Sequence, residues 1–494
     1  MSGTGGSTGG ALDGVADGAI DALVVGRSLP ALLAALELAE VGLRVAIAGG
    51  PVELPGTNER DPDGVLSAAL AHVAAPLDGS HGDADASTGA GSGEDRAGSD
   101  RAAAAGDPAL LPLQTRRPAP MLPDRAGAWT LQADPSVLGI PAVPLAVESL
   151  RLLGTAAALR AYLDRVTPLL TIGKTRSMGE LVRRRLGRTA LERLSEPVLR
   201  ARFGVPSAEV EAAIAAPGLN EALSRAGSLT AAALAYSDRN VARETTVRPG
   251  GGWPGFVEAL LRRLVAYGVD LIDAEVTEAS RTESGGWTAA LADGRALGSA
   301  ALILDAGSTP ARPGTDPGAG AETTSGAGLA TPLPERTRLH AEIDIQEVPG
   351  LEELDAAGSA VRTVGRFSLV IHPADAEGSL LPRAELRGLA EAGGRPSAAV
   401  DPAAPLVDEL SAALAEAGVD PAEDAGWRIR VAAAPFATTA ERDRSRAALS
   451  ERRAHLPELL VVGRALHGDD ISAAVSDAQQ EAIVLRRRLL GIAD

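Results

Sequence analysis

The sequence predicts an α/β protein with a discontinuous Rossmann-like domain, a mixed-sheet second domain and a helical lobe. Three observations lead there. Residues 21–50, DALVVGRSLPALLAALELAEVGLRVAIAGG, pass from a short apolar run to helical periodicity and back to a short apolar run. Residues 141–239 carry long amphipathic runs of helical spacing. The chain then closes on an apolar run at 459–463 (LLVVG) and one more helical pattern, which returns a last strand and helix to the domain begun at the other end.

In the first unit, Ala22–Val25 reads as a buried strand, and Leu29, Leu32, Leu33 and Leu36 share one helical face. Gly42 supplies the turn and Leu43–Ala48 the second strand. A βαβ unit of this length is the building block of dinucleotide sites, and its chemistry lies in the first turn. In G-x-G-x-x-G/A the first glycine allows the turn, the second lets backbone approach the diphosphate, and the third packs helix on strand. The corresponding residues are Gly26, Ser28 and Ala31. Gly26 is intact and alanine is an accepted third residue, but Ser28 adds a side chain where the diphosphate would sit. Pro30 suits the first helical turn. The acidic residue that holds the ribose is replaced by Gly49, followed by Gly50, and Glu53 is only a weak substitute.

Further along, residues 1–17 read as a flexible tail. Residues 78–107 and 307–335 are polar, low-complexity stretches too poor in bulky apolar groups to order themselves. In the run 177–203, Leu181, Leu186, Leu191, Leu194, Val198 and Leu199 lie close to helical spacing. Residues 268–306 alternate as strands, with WTAALADGRAL a hairpin turning at Asp-Gly. Residues 340–371 and 427–435 also read as strands, and a helix runs from about Ser472 to Leu490. The resulting partition puts 18–77, 240–306 and 456–494 in the dinucleotide-type domain. It puts 108–140 and 336–455 in the second domain and 141–239 in the lobe.

Composition limits function. The chain has 494 residues, 45% hydrophobic and 23% charged, which suits about three domains of roughly 150 residues. It has no cysteine, which excludes disulfides, thiolate metal sites, Fe–S clusters and a cysteine nucleophile. Its single lysine, Lys174, follows no phosphate loop. A net charge of −18 and only 4 Trp, 3 Tyr and 4 Phe argue against a nucleic-acid partner. Arg27, Glu37, Glu40 and Arg44 interrupt the longest apolar stretch, so no spanning helix is expected and a cytoplasmic location is the default. The six histidines lack metal-ligand spacing, and no nucleophile triad or G-x-S-x-G is found. Arg183, Arg184, Arg185, Arg188, Arg193, Arg200 and Arg202 read as a solvated helix face, with carboxylate binding the sharper alternative.

Several collinear stretches resemble the flavin-dependent protoporphyrinogen/coproporphyrinogen oxidases of the amine-oxidase-like FAD superfamily. They are 24–48, LGIPAVPLAVESLRLLGTAAALRAYLDRV (138–166), 177–204, RPGGGWPGFVEALLRRLVAYGVDL (248–271) and HLPELLVVGRALHGDDISAAVSDAQQEA (455–482). The resemblance implies an FAD/NAD(P)-linked fold with three elements around the flavin. The first turn and helix would carry the diphosphate, a strand ending near Val276 would pass the adenine, and the loop from Gly463 to Asp477 would lie by the isoalloxazine. Gly468 matches the first loop glycine, while Asp469 and Asp470 replace small residues and would oppose the negative charge of a reduced flavin. His467 beside them is a candidate for proton transfer, though a plain loop histidine is the commoner case.

The family's glycine-rich segment after the second strand is replaced by PVELPGTNERDPDG. The departures fall on cofactor contacts, whereas the leucine face, Gly42 and the Gly250–Gly252 turn are kept. Two functions are therefore expected from the resemblance. One is a porphyrinogen oxidase of haem biosynthesis, using FAD and oxygen on coproporphyrinogen III or protoporphyrinogen IX. The other is a cofactor-free homologue that binds a tetrapyrrole or regulates a haem-pathway enzyme. An oxidase of the same superfamily acting on an amine or polyene is a third.

Overall fold

The computed structural model describes residues 20–56, 58–77, 107–116, 118–167, 176–239, 245–306, 334–374, 381–389 and 404–492. The tail at 1–17 and nearly all of the stretches at 78–107 and 307–335 lie outside them.

Short β-rich apolar segments pair in parallel to form the first sheet. Its parallel core runs Asp270–Ile272, Val45–Ala48, Ile20–Val25, Ala296–Asp305 and Leu459–Val462. Period-2 alternation sends Val24, Ile47, Ile303 and Val462 to one face. There they meet the helices Leu29–Ala39, Val65–Ala74, Gly252–Ala266 and Ile471–Leu489. Leu23, Ala48, Leu304 and Val461 point to the other face. The long strand Ala296–Asp305 has two neighbours along one edge. Its first half pairs antiparallel with Trp287–Leu291, and its second half pairs parallel with Leu459–Val462. The hairpin between Leu291 and Ala296 turns at Asp293-Gly294, with Gly294 at φ +86°. Val276 opens the strand Val276–Arg281 rather than closing one, and its side chain is buried in a core cluster with Val25 and Ala48.

The second sheet has seven strands in the order Arg428–Ala433, Thr337–Asp344, Arg383–Leu389, Phe367–His372, Ala360–Val364, Met121–Pro123 and Trp129–Leu131. The stretch read as strand at 340–371 thus divides between three strands. One face packs Leu339, Ala341, Ile343, Leu369 and Leu386 against Leu410 and Leu414 of the helix Ala404–Glu416. The helix Thr439–His455, grouped with this sheet in the sequence partition, instead packs Leu449 against the first sheet.

The described residues between 147 and 239 are mostly helical, as the periodicity predicts. Two close contacts fix it. Arg185 is buried and pairs with buried Asp164 at 2.5 Å, and Asp164 also accepts the backbone N–H of Leu229 and Thr230. Arg185 is therefore an internal tie rather than part of a solvated face. Gly139 (φ +82°) presses on the backbone of the turn Leu191–Ser195, where a Cβ would lie 2.6 Å from Ser195 Cα.

Candidate functional site

Ligands of open parallel sheets bind outside the carboxyl ends of the strands. In this chain that crevice is bounded by Gly26, Gly49, Ile272, Asp305 and Gly463, which stand at or just beyond those ends. Gly26 has φ +105° and its N–H donates to Ala48 O at 2.9 Å, so the first turn closes as the motif requires. A Cβ on Gly49 would lie 3.2 Å from Gly26 Cα. The two backbones pass close together here, and Gly49 offers no carboxylate to a ribose. Ala31 is fully buried against the sheet and does the packing work of the third motif residue.

The helix Leu29–Ala39 presents its amino end to this crevice, with donor N–H groups and the positive end of the helix dipole. In a dinucleotide site that end receives the diphosphate. Here the Ser28 N–H donates to Asp305 Oδ2 at 3.1 Å, with both residues buried. Ser28 Oγ does not cap the helix, and among the described residues it has no hydrogen-bond partner. The segment after the second strand forms a backbone bridge from Glu53 to Ser28 across the same end. Arg27 reaches sideways to Ile272 O and Asp273, at 3.0 and 2.6 Å.

Two other helix ends near the crevice are also occupied from within. Asp61 is buried and accepts Leu66 N–H and Ser67 N–H, both at 2.9 Å, at the start of Val65–Ala74. It also accepts Ser472 Oγ at 3.2 Å from the carboxy-terminal helix. Asp470 caps that helix, accepting Ala473 N–H at 3.1 Å. It is a helix cap worth about 1 kcal/mol rather than a charge set against a flavin.

The glycine loop is filled in the same manner. A Cβ on Gly463 (φ +125°) would sit 2.8 Å from Asp305 Oδ1, and one on Gly468 (φ +63°) would sit 2.7 Å from Phe436 N. Both glycines admit protein atoms. Asp469 (φ +60°) turns its carboxylate between Arg464, at 2.8 Å, and Arg338, at 3.3 Å. Burial acts to raise the Asp469 pKa, but Arg464 and Arg338 outweigh it and hold the carboxyl below its ordinary range. Glu59 lies 3.5 Å from Arg464, and burial pushes its carboxyl up. His467 lies 3.3 Å from Asp477, which also pairs with Arg453. Its contacts are internal to the helix pair.

Arg338 belongs to a cluster on the face of the second sheet opposite its apolar core. Its Nε–H donates to His340 Nε2 at 3.0 Å, and a terminal N–H donates to Arg202 O at 2.9 Å in the lobe. His340 Nδ1 lies 2.5 Å from Glu385 Oε1, so the ring fits the neutral tautomer with Nδ1–H donating. Glu385 also receives Arg387 at 2.6 Å and His372 at 3.2 Å. Burial and the neighbouring Arg338 drive the His340 pKa down to about 3. Burial and Arg387 bring Arg338 down to about 10. The group ties three parts of the molecule together: second sheet, glycine loop and lobe.

A pH dependence follows. Between pH 6.5 and 3 the unfolded His340 takes up a proton that the folded one does not. Stability therefore falls as pH drops through this window, by about 1.4 kcal/mol per pH unit. Glu385 and Asp469, both held below their ordinary values, add a further loss once the unfolded carboxyls protonate. Urea unfolding at pH 7, 6 and 5 measures the slope. His340→Asn should flatten it by about one proton, and an unchanged slope in that variant would place its origin elsewhere.

No family model and no curated protein matches this sequence. Solved structures do. A protein from Exiguobacterium sp. 255-15, provisionally assigned as a protoporphyrinogen oxidase, superposes with TM-score 0.64 at 14% identity, over 96% of this chain and 100% of that one. Reduced UDP-galactopyranose mutase superposes with TM-score 0.52 at 11% identity, over 96% of each chain. The fold is that of the FAD-dependent oxidoreductases, with a Rossmann-like domain. At these identities the likeness carries the architecture alone.

The fold therefore implies FAD, and the residues at its expected contacts do not fit it. A carboxylate occupies the diphosphate end of the first helix. At an effective dielectric constant of about 20, each unit of phosphate charge roughly 5 Å from Asp305 would cost about 3 kcal/mol. The ribose carboxylate is replaced by a Gly–Gly contact, and the loop glycines are closed by Asp305 and Phe436. At the first turn, Ser28 Oγ is a buried polar atom with no hydrogen-bond partner among the described residues. Asp305, Asp61, Arg338, His340, Glu385, Arg387 and Arg464 belong to no local sequence motif. The one visible signal was the alternation of charge with apolar residues along 338–344 and 383–387.

No helix among the described residues is long and apolar enough to cross a membrane, and no group of metal-ligating side chains gathers there.

Proposed function

We propose that this chain is a non-catalytic member of the flavin-oxidoreductase architecture, holding no FAD and acting as a binding or regulatory protein. The observation that carries this reading is the Asp305 carboxylate at the amino end of Leu29–Ala39, where the architecture places a diphosphate. The charge cluster from Arg464 through Asp469 and Arg338 to Glu385 supports it. It sets internal ion pairs between the second sheet and the glycine loop, where an oxidase would need room for ring and substrate. Porphyrinogen oxidation, the finer activity implied by the sequence resemblance, relies on the flavin as electron acceptor. This reading keeps the fold and gives up that reaction. It also leaves Arg338 and Arg387 no role toward tetrapyrrole carboxylates, since each is paired with a carboxylate of the chain.

The test is direct. The purified full-length protein should show no flavin absorbance, no saturable fluorescence change on titration with FAD, and no oxidation of coproporphyrinogen III under air. Stoichiometric FAD in the isolated protein, or flavin-dependent turnover after reconstitution, would overturn the reading.

A further inference from the structure

We propose that the amino end of the helix Leu29–Ala39 is a latent anion site that the chain fills with its own tethered ligand, Asp305, and that removing this carboxylate opens the site to a diphosphate-class anion. The inference rests on the cofactor-free reading and deepens it.

Four features make the site. The helix is 11 residues long, carries no acidic residue in its first turn and has no side-chain cap; Pro30 has no N–H, so its first-turn donors are the N–H groups of Leu29 and Ala31. Ser28 N–H points to Asp305 Oδ2 at 3.1 Å. Ser28 Oγ, in a residue only 5% exposed, has no partner among the described residues. Gly463 makes the space for Asp305, since any side chain there would meet its Oδ1 at 2.8 Å and Ala306 N at 3.3 Å.

Asp305 is also well placed by covalent geometry. Leu304 pairs with Val25, and Asp305 pairs with Val462, so register delivers the carboxylate beside the turn at Gly26–Ser28. A ligand held by two strand ladders has a high effective concentration, and a free anion must displace it and overcome its charge. In the wild-type chain the free anion loses on both counts.

The experiment uses full-length wild-type protein, Asp305→Asn and Asp305→Ala, with inorganic pyrophosphate and ADP as probes in titration calorimetry at low salt. Wild type should give no saturable binding. Asp305→Ala should bind both probes with at least a tenfold gain in affinity, weakening as salt is added. Asp305→Asn keeps an acceptor oxygen without the charge and should gain less. Pyrophosphate should raise the melting temperature of the variants and not of wild type. Adding Ser28→Ala to Asp305→Ala should remove part of the gain.

Folded variants that bind neither probe, or wild type that binds as well as they do, would overturn the proposal. So would an Asp305→Asn protein that fails to fold, because the neutral isostere should still hold the Ser28 N–H. These outcomes leave the functional reading standing, which falls only if wild type itself binds FAD.

Discussion

Asp469→Asn is expected to lower the unfolding free energy by about 3–5 kcal/mol, the range for removing one partner of a buried ion pair. The substitution isolates charge. Asp469 has φ +60°, a conformation that asparagine tolerates at least as well as aspartate, so no backbone strain is added. What remains is an Arg338 guanidinium in a side chain 6% exposed, beside Arg464 and within the field of Arg387. Urea denaturation followed by circular dichroism measures the loss. Combining Asp469→Asn with Arg338→Met should cost clearly less than the sum of the single changes, because the orphaned cation is then gone. A single-variant loss below about 1 kcal/mol would mean that the carboxylate behaves as an exposed pair.

Gly139→Ala is the second large effect. At φ +82° an alanine costs roughly 1–2 kcal/mol for the left-handed conformation alone. Its Cβ would also overlap Leu194 O and stand 2.6 Å from Leu194 C and Ser195 Cα. These are main-chain atoms of a buried helical turn that cannot swing aside, so overpacking adds roughly 1–3 kcal/mol. A total loss of about 3 kcal/mol or more is expected, with the lobe as the part that loosens. Hydrogen exchange should show lost protection in residues 147–239 before the first sheet is affected. A variant with wild-type protection and melting temperature would show that the hairpin at 136–141 can move away from the lobe at little cost.

The fold was readable where sequence pattern is local. Residues 21–50 contain a whole βαβ unit, so periodicity alone located its strand, helix and strand. The Asp-Gly turn and the last strand and helix were likewise visible, since each depends on neighbours a few residues away. The losses at Ser28 and Gly49 were also legible. What replaced them was not. Asp305 looks like the polar end of any buried strand until pairing sets it beside Ser28, 277 positions away in the chain. In sequence Asp469 looks like a misfit beside a flavin, because its partner Arg338 stands on the second sheet, 131 positions away. Charges alternating along a strand are read as a wet face, and only the docking of lobe and loop shows that the face of Arg338, His340 and Glu385 is dry.

The doubly paired strand Ala296–Asp305 has a consequence for synthesis on the ribosome. The strand Ile20–Val25 emerges early, yet one flank stays bare until residue 304 is made, and that newcomer waits in turn for Val461. A nascent polypeptide with such distant pairings carries an unprotected apolar edge through most of translation, with slow maturation as the expected result. The protein should therefore lean on chaperones during production, and a stop codon just ahead of Leu459 should send it to proteolysis rather than leave a shortened working product.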